Sequence, residues 1–571
     1  MKQAPVRNID RWLHAQSARF TGGLSLNAIR LAYTDWLLHV LQSPAQSLAL
    51  VQETVQRVSR LALDEILRGD TEPMHVAVPD DHRFHDHAWN HWPWRLYRDL
   101  FIILHDLVTH GTRGIRGVDA HHRQVVNVTC HQWLDAFSPA NWPWTHPLVI
   151  NRTIESHGMN LFCGLMNWHE DMRKLLTQED EPRSSDFVIG EDVACTPGMI
   201  VHRNRLIELI QYEPMTPMVK KNPVFIVPAW IMKYYILDLS AHNSLVRYLV
   251  ERGHTVFMVS WVNPTAEDRD LGMEDYLRLG VMESMDRIAE LTDKAPINAV
   301  GYCLGGTLLS IAAAAMGREC DQRLASVTLL AAQTDFSEPG DLGLFIDESQ
   351  VTLLEDSMWE AGYLDNRQMA GSFRITQANE RVWGTWVNDY LMGERQPVSD
   401  MAAWNQDSTR LPYRMHTEYL RHLYLNNDLA QGRYRVGTQP VSLADVQCPI
   451  FCVGAERDTV APWLSVYKIQ LYARSEITFV LTSGGHNVGI VNPPGVPGRH
   501  YRIMTRGAQS AYMAPEDWST CVPVNEGSWW HAWNDWLTAH AGEEILADLR
   551  GLPLSCPGSK GRAPGQYVMG R

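Results

Sequence analysis

The fold is decided by residues 301–306, Gly-Tyr-Cys-Leu-Gly-Gly, which stand between an apolar run at 297–302 and a helix-forming run at 307–316. A Gly-x-nucleophile-x-Gly pattern between a strand and a helix predicts a nucleophile elbow. Glycines flank the reactive residue there because side chains would collide with neighbouring backbone. The alternative is a buried cysteine in a glycine turn. At a helix N-terminus the dipole and unpaired amides favour a thiolate, so we interpret Cys303 as the nucleophile.

Further strands are predicted from about residue 196 onwards, where short apolar runs alternate with helical stretches. The candidates are residues 223–227, 254–261, 297–302, 326–330, 450–454 and 477–481. Continuous apolar runs are typical of strands covered on both faces of a parallel sheet. Together with the elbow, they predict an α/β-hydrolase fold with a mostly parallel, doubly wound sheet.

A nucleophile needs a base, and the base needs an orienting acid. In this fold they follow in the order nucleophile, acid, histidine, on loops after later strands. Asp458 follows the strand at 450–454, and His486 follows the strand at 477–481 in a glycine-rich loop. Glu456 and Asp335 are alternative acids, and Asp335 lies just beyond the strand at 326–330. We expect Asp458 to be the acid.

The oxyanion hole is expected to use two backbone amides. One is the amide of Leu304, directly after the nucleophile. The second comes from the loop after the strand at 223–227, near Trp230 and Ile231, with Ile231 as our choice. The second assignment rests on analogy with the fold.

The domain organisation is predicted from the length of the chain and from the pattern of apolar residues along it. At 571 residues the chain is too long for one compact core. Residues 1–195 show helical periodicity, for instance over 24–41, and predict a mainly helical N-terminal region. Residues 196–571 form the predicted hydrolase-fold domain, with a cap insertion at about 335–445 where the strand alternation lapses. The Pro/Gly-rich end, 551–571, is expected to be a loosely held tail.

Charge and hydropathy exclude several classes of function. The net charge is −15 and no Lys/Arg-dense stretch is present, so nucleic acid is an unexpected partner. The first residues do not read as a secretory signal, and no apolar run reaches the roughly 18 residues that a membrane helix needs. We therefore expect a cytoplasmic protein without a transmembrane segment.

Two stretches have residues that bind metals in other proteins. Cys448 and Cys452 are separated by three residues, but no second pair at ligand spacing accompanies them. Residues 81–94 hold four histidines among tryptophans, at spacings that match no ordinary ligand pattern. The alternatives are cysteines that flank a strand and a loop anchored by tryptophan. We expect no metal and no cofactor.

Beyond the elbow, the sequence resembles the polyhydroxyalkanoate synthases, the bacterial polyester polymerases, and most of all those of class I. The motifs that carry the resemblance are Lys-Tyr-Tyr-Ile-Leu-Asp-Leu at 233–239, Ser-Trp-Val-Asn-Pro at 260–264, Ala-Pro-Trp at 461–463, Val-Asn-Pro-Pro at 491–494 and Ala-Pro-Gly-Gln-Tyr-Val at 563–568. The chain departs from the family pattern in Pro-Ala-Trp-Ile-Met-Lys at 228–233, Asp-Thr-Val at 458–460 and Gln-Ala-Asn-Glu at 377–380. None of these departures changes Cys303, Asp458 or His486.

The resemblance implies a reaction and partners. Cys303 would take the acyl group of an (R)-3-hydroxyacyl-CoA, release CoA, and pass the group to the growing polyester chain through an acyl-cysteine. The CoA thioester is then a substrate, and no cofactor is needed. Family members of this type work as homodimers on polymer granules, so the resemblance implies a homodimer at a granule surface.

Two other functions are compatible with parts of the sequence. A thioesterase, esterase or polyester depolymerase on the same fold would pass the acyl group to water, and an elbow alone does not separate hydrolysis from transfer. A non-catalytic, granule-associated protein would keep the fold without the reaction. The cysteine at the elbow and the motifs outside it favour the synthase.

Overall fold

The computed structural model describes residues 4–21, 23–68, 81–177, 187–365, 382–395, 397–547 and 560–570. The family departure at 377–380 and part of the predicted insertion lie outside these residues. The chain forms two compact units. The sheet unit contains Met1–Gly23, Arg183–Met369 and Val398–Arg571, and the helical unit contains Leu24–Pro182 and Ala370–Pro397. The domain boundary at 195/196 stays a prediction.

Among the described residues, the helices are distributed over both units. They are α1 (Ala4–Thr21), α2 (Leu26–Leu41), α3 (Pro44–Arg68), α4 (Trp94–Arg113), α5 (Ala120–Ala136), α6 (Pro147–Glu155), α7 (Met159–Thr177), α8 (Leu245–Val250), α9 (Met273–Asp275), α10 (Glu283–Leu291), α11 (Leu304–Arg318), α12 (Glu348–Ala361), α13 (Asp400–Asn405), α14 (Tyr413–Tyr419), α15 (Trp463–Tyr467), α16 (Ile469–Tyr472), α17 (His486–Ile490), α18 (Pro515–Cys521) and α19 (Trp530–Ala539). Turns of π-helix continue α9 over Tyr276–Met282 and α14 over Leu420–Leu425.

The described strands all belong to the sheet unit. They are β1 (Gly198–Arg203), β2 (Ile207–Tyr212), β3 (Met218–Lys220), β4 (Val224–Val227), β5 (Val256–Trp261), β6 (Ile297–Tyr302), β7 (Leu324–Leu330), β8 (Tyr363–Leu364), β9 (Leu411–Pro412), β10 (Arg435–Val436), β11 (Gln439–Pro440), β12 (Ile450–Ala455), β13 (Ile477–Thr482), β14 (His500–Arg506), β15 (Val524–Glu526) and β16 (Glu544–Leu546).

A ten-stranded sheet of the described residues has the order β1-β2-β5-β4-β6-β7-β12-β13-β14-β15. Its six central strands, β5 to β13 in that order, are parallel. The outer strands, β1 and β2 on one side and β14 and β15 on the other, run antiparallel to their neighbours. The six central strands are the six that the sequence predicts, and the mostly parallel α/β-hydrolase fold is confirmed.

The central strands form because their residues are apolar on both faces. Every residue of β4, β5, β6, β12 and β13 is buried. Helices therefore cover both sides of the sheet, as expected for a doubly wound fold. Because β6, β12 and β13 are parallel, their carboxyl ends meet at one edge, where ligands bind in open α/β sheets.

The helical unit confirms the helical N-terminal region. The periodicity over 24–41 corresponds to α2, whose N-terminus is capped by Ser25 Oγ, an acceptor for the Ala28 amide at 3.3 Å. In the same unit, Trp89 is fully buried in a small core with Phe84 and Phe101. No described helix has both the length and the hydropathy to cross a membrane.

The C-terminal segment differs from the expectation of a loose tail. Residues 560–570 lie along the edge strand β1. The Ile200 amide donates to the Gly561 carbonyl at 2.8 Å, and the Lys560 amide donates to the Ile200 carbonyl at 2.9 Å. The Tyr567 hydroxyl donates to the Asn204 carbonyl at 2.6 Å. The expectation of a loosely held tail was wrong for residues 560–570. Their Pro/Gly-rich composition suggested no structure, but backbone groups at the sheet edge bind them through hydrogen bonds. Residues 551–559 lie outside the described chain.

Candidate active site

Cys303 lies at the turn between β6 and α11. Its φ of 52° and ψ of −124° are unusual for a residue with a side chain, and such strain is characteristic of positions that the surrounding structure holds in place. The Cys303 amide donates to the Leu330 carbonyl at the end of β7 at 2.9 Å. Cys303 is partly exposed, whereas the flanking Tyr302 and Leu304 are buried.

The glycines of the elbow are required by close backbone approach. A Cβ on Gly305 would lie 2.2 Å from the Val227 carbonyl oxygen and 2.6 Å from that of Pro228. A Cβ on Gly301 would lie 2.4 Å from the Cα of Gly306. The elbow therefore packs directly on the end of β4 and on the loop that follows it.

His486 and Asp458 lie beside each other at the carboxyl ends of β13 and β12. His486 Nδ1 is 2.7 Å from Asp458 Oδ2. The Asp458 side chain is 0% exposed, and its Oδ1 accepts hydrogen bonds from the amides of Val460 at 2.9 Å and Ala461 at 2.8 Å. The carboxylate is thereby fixed in one orientation, with one oxygen held for the imidazole.

The electrostatics link His486 to Cys303 as well. Burial disfavours the imidazolium, but the Asp458 carboxylate and Cys303 outweigh it and hold the pKa of His486 well above its ordinary value. Cys303 contributes to this raised pKa, so its side chain lies close to the imidazole. A histidine held beside the cysteine of an elbow is the arrangement that activates a cysteine nucleophile.

The two alternative acids have other partners. Glu456 lies 3.2 Å from Nε2 of His500. Asp335 accepts from the amide and hydroxyl of Ser337 at 2.8 and 2.6 Å, and it also accepts from Asn427 and Tyr472. Burial acts to raise the pKa of Asp335, but these hydrogen bonds lower it below its ordinary value. Of the three carboxylates, Asp458 is the one hydrogen-bonded to His486.

The two predicted oxyanion donors lie on adjoining segments. Leu304 is the first residue of α11, so its amide has no acceptor within that helix. Ile231 lies on the loop after β4, whose start packs against Gly305. Among the described residues, no protein group accepts a hydrogen bond from the Ile231 amide. The catalytic role of both amides stays a prediction.

The sequence interpretation missed several residues near Cys303. Burial raises the pKa of Tyr419 and Tyr424, and the proximity of Cys303 adds to both shifts. Their hydroxyls are 3.3 Å apart. Asp341 is also close to the site, since burial and the Asp458 charge raise its pKa. These residues lie in the long insertion, where no periodic pattern distinguished them from other polar or aromatic residues.

In the two stretches considered for metals, the structure shows buried cysteines and ion pairs within the protein. Cys452 is buried inside β12, and burial raises the pKa of Cys448 to about 12. In the stretch 81–94, Asp81 pairs with Arg83 at 2.7 Å, and Arg83 pairs with Asp135 at 2.9 Å. Within the described ranges, no group of three or more His, Cys, Asp or Glu side chains is arranged to hold a metal.

A cysteine at the elbow of this sheet, next to a histidine and a buried carboxylate, defines an acyl-transferring enzyme of the α/β-hydrolase fold. Residues 80–249 match the family model of the poly-beta-hydroxybutyrate polymerase (PhaC) N-terminus, residues 4–46 match that of the poly-beta-hydroxybutyrate polymerase N terminal, and residues 222–493 match that of the alpha/beta hydrolase fold. The chain belongs to the PhaC family of polymerases.

Curated relatives span most of the chain. The poly(3-hydroxyalkanoate) polymerase of Methylorubrum extorquens is 37% identical over 506 residues, which cover 87% of this chain and 82% of the relative. The polymerase subunit PhaC of Cupriavidus necator is 34% identical over 548 residues, which cover 94% of this chain and 90% of the relative. A solved monoacylglycerol lipase of Paleococcus ferrophilus aligns at 11% identity with 58% of this chain and 99% of its own, with a TM-score of 0.33, too low to add to the fold described above.

Proposed function

We propose that this chain polymerises (R)-3-hydroxyacyl-CoA thioesters into polyhydroxyalkanoate and releases CoA. The observation that carries the proposal is the grouping of Cys303, His486 and Asp458 at one edge of the sheet, in a chain of the PhaC family. The relatives' names supply the product, poly(3-hydroxyalkanoate). No cofactor enters, because the CoA thioester supplies both the acyl group and the leaving group.

The first step forms an acyl-cysteine. The Cys303 thiolate attacks the thioester carbonyl, and the amides of Leu304 and Ile231 stabilise the oxyanion of the tetrahedral intermediate. When the intermediate collapses, the bond between the carbonyl carbon and the CoA sulfur breaks. CoA takes the proton of the His486 imidazolium as it leaves, which requires the raised pKa that Asp458 maintains.

The second step extends the polymer. Neutral His486 removes the proton from the 3-hydroxyl of a hydroxyacyl unit, and the oxygen attacks the acyl-cysteine carbonyl. An ester bond forms and Cys303 leaves as a thiolate, so the ion pair with imidazolium is restored. Exchange between thioesters is nearly balanced in energy, whereas an oxoester is more stable, and this difference drives elongation.

Water must be excluded for transfer to prevail over hydrolysis. The insertion supports this requirement, because its residues Phe336, Tyr419 and Tyr424 are buried close to the site. The rings of Phe336 and Tyr424 are 4.8 Å apart, and those of Tyr419 and Tyr424 are 5.3 Å apart. An aromatic wall of this kind leaves little space for bulk water beside the thiol.

The test is to incubate the purified chain with (R)-3-hydroxybutyryl-CoA, measure free CoA, and identify the product. We expect CoA release with insoluble polyester, and Cys303→Ala should abolish release while the protein stays folded. Cys521→Ala, at an exposed cysteine on α18, is the matched control and should keep full turnover. Soluble hydroxy acid would instead show a hydrolase, and the absence of release would support a non-catalytic granule protein. Substantial turnover of Cys303→Ala would overturn the nucleophile assignment.

We also propose that the chain acts as a homodimer on polymer granules in the cytoplasm, by family membership. Light scattering of the full chain should give twice the monomer mass, and the chain should sediment with amorphous poly(3-hydroxybutyrate) granules. Cys303→Ala should sediment equally, since granule binding does not need the reaction. A monomer that stays in the supernatant would contradict both parts.

A further inference from the structure

The loop after β4 is held by a second segment of the chain, residues 407–409. The Thr409 amide donates to the Ile231 carbonyl at 3.0 Å, and the Lys233 amide donates to the Asp407 carbonyl at 3.4 Å. Met232 and Ser408 form an antiparallel bridge between these contacts. The two segments thus form a short ladder that fixes the backbone of the loop on one side.

One side chain of this ladder acts on a particular peptide group. The Thr409 hydroxyl donates to the Trp230 carbonyl, and Thr409 is buried. The peptide between Trp230 and Ile231 is trans, so its carbonyl and its amide point in opposite directions in one plane. When Thr409 binds the carbonyl, the Ile231 amide is therefore turned away from residues 407–409.

We infer that Thr409 is a positioning residue that orients the Ile231 amide as an oxyanion donor. The inference rests on the proposed function, in which that amide binds the tetrahedral intermediate. The elbow lies next to the loop, because Gly305 packs against the carbonyls of Val227 and Pro228. Without the hydroxyl, the Trp230 carbonyl loses a buried partner and the peptide plane is free to rotate, which moves the amide from its place.

The other groups around this peptide are held independently of the Thr409 hydroxyl. The Trp230 indole is fixed independently, since its Nε1 donates to Met415 Sδ at 3.3 Å and its ring lies 4.7 Å from that of Tyr276. The Thr409 main chain also holds the next carbonyl, that of Ile231, whatever its side chain is. A change of the hydroxyl alone therefore tests the orientation of one peptide group.

The experiment compares Thr409→Val, which keeps the shape and removes the hydroxyl, with Thr409→Ser, which keeps the hydroxyl. CoA release from (R)-3-hydroxybutyryl-CoA is measured for both, together with the alkylation of Cys303 by iodoacetamide. Loss of one oxyanion donor lowers kcat by about 100- to 1,000-fold. For a displaced donor we expect a drop in kcat of about tenfold or more with KM nearly unchanged, because the contact forms only in the transition state.

The alkylation rate distinguishes positioning from a general structural role. Alkylation forms no oxyanion, so it should be the same in Thr409→Val and in the wild type, and Thr409→Ser should restore kcat to within about threefold of the wild type. A Thr409→Val variant with unchanged kcat would overturn the inference. So would an equal loss of alkylation and CoA release, or a Thr409→Ser variant as slow as Thr409→Val.

Failure of the proposed function has a different signature. If the wild type is alkylated at Cys303 but releases no CoA, the proposed function is wrong. The Thr409 variants are then compared by acylation with p-nitrophenyl butyrate, which passes through the same kind of oxyanion. A slow Thr409→Val and a restored Thr409→Ser would still support the positioning role, and equal rates would overturn it.

Discussion

At the scale of residues, the charge on His486 depends on Asp458. A buried imidazole alone would lose its proton at a lower pH than a free one, because burial disfavours the charged form. The observed shift has the opposite direction, with the pKa of His486 raised. The imidazolium therefore survives to a higher pH than usual, and it remains available to protonate the departing CoA.

The first prediction concerns the pH dependence of CoA release. Asp458→Asn removes the charge that stabilises the imidazolium, so the pKa of His486 falls and its proton is lost at lower pH. The alkaline limb of the profile of kcat against pH should move to lower pH by about 1–3 units, the usual effect of one close opposite charge. Rates of CoA release measured across the pH range in constant ionic strength check this.

Two carboxylates serve as controls for this shift. Glu456→Gln changes an exposed group that pairs with His500, and Asp335→Asn changes the other acid that the sequence allowed. Neither should move the alkaline limb. If Asp335→Asn shifts the alkaline limb and Asp458→Asn does not, Asp335 is the acid that supports His486.

The order of residues in the chain predicts Cys303, Asp458 and His486 because each follows a recognisable strand. It does not predict Thr409 or Tyr419. Their positions depend on how the insertion folds back over the sheet, and no local pattern reports a contact between residues 230 and 409. The sequence therefore predicts a catalytic residue that follows a strand, but it does not predict a contact that a distant loop supplies.

At the scale of elements, strands were predictable where both faces are buried. The central strands read as continuous apolar runs, and burial of apolar side chains is what holds them in the sheet. Strand β14, His-Tyr-Arg-Ile-Met-Thr-Arg, lies between β13 and the edge strand β15 and is only partly buried, so its sequence mixes polar and apolar residues without a clear period. β2 was missed for another reason, since it carries buried Glu208 and Gln211.

At the scale of the whole molecule, Glu208 joins the edge of the sheet to the C-terminal segment. Its side chain is 0% exposed, and its Oε1 accepts from Arg203 Nε at 2.7 Å. Its Oε2 accepts from the amides of Gln566 and Tyr567 at 2.9 and 3.0 Å. The segment continues to the loop after β4, where Lys233 Nζ donates to the Gly570 carbonyl at 2.6 Å. The C-terminus thus connects β2 to the loop that carries Ile231.

The last prediction follows from this connection. Glu208→Ala removes the acceptor of two amides and leaves Arg203 without its carboxylate, which should cost about 2–4 kcal/mol of local stability. Hydrogen exchange measured by mass spectrometry should speed up over residues 560–570 and over the loop at 228–233, and Tm should fall. Glu208→Gln keeps an acceptor without the charge, so its loss should be smaller. Glu251→Ala, at an exposed i,i+4 pair with Arg247, is the control and should change exchange little. If exchange at 228–233 stays unchanged while 560–570 opens, the segment is attached to β1 and β2 without supporting the loop.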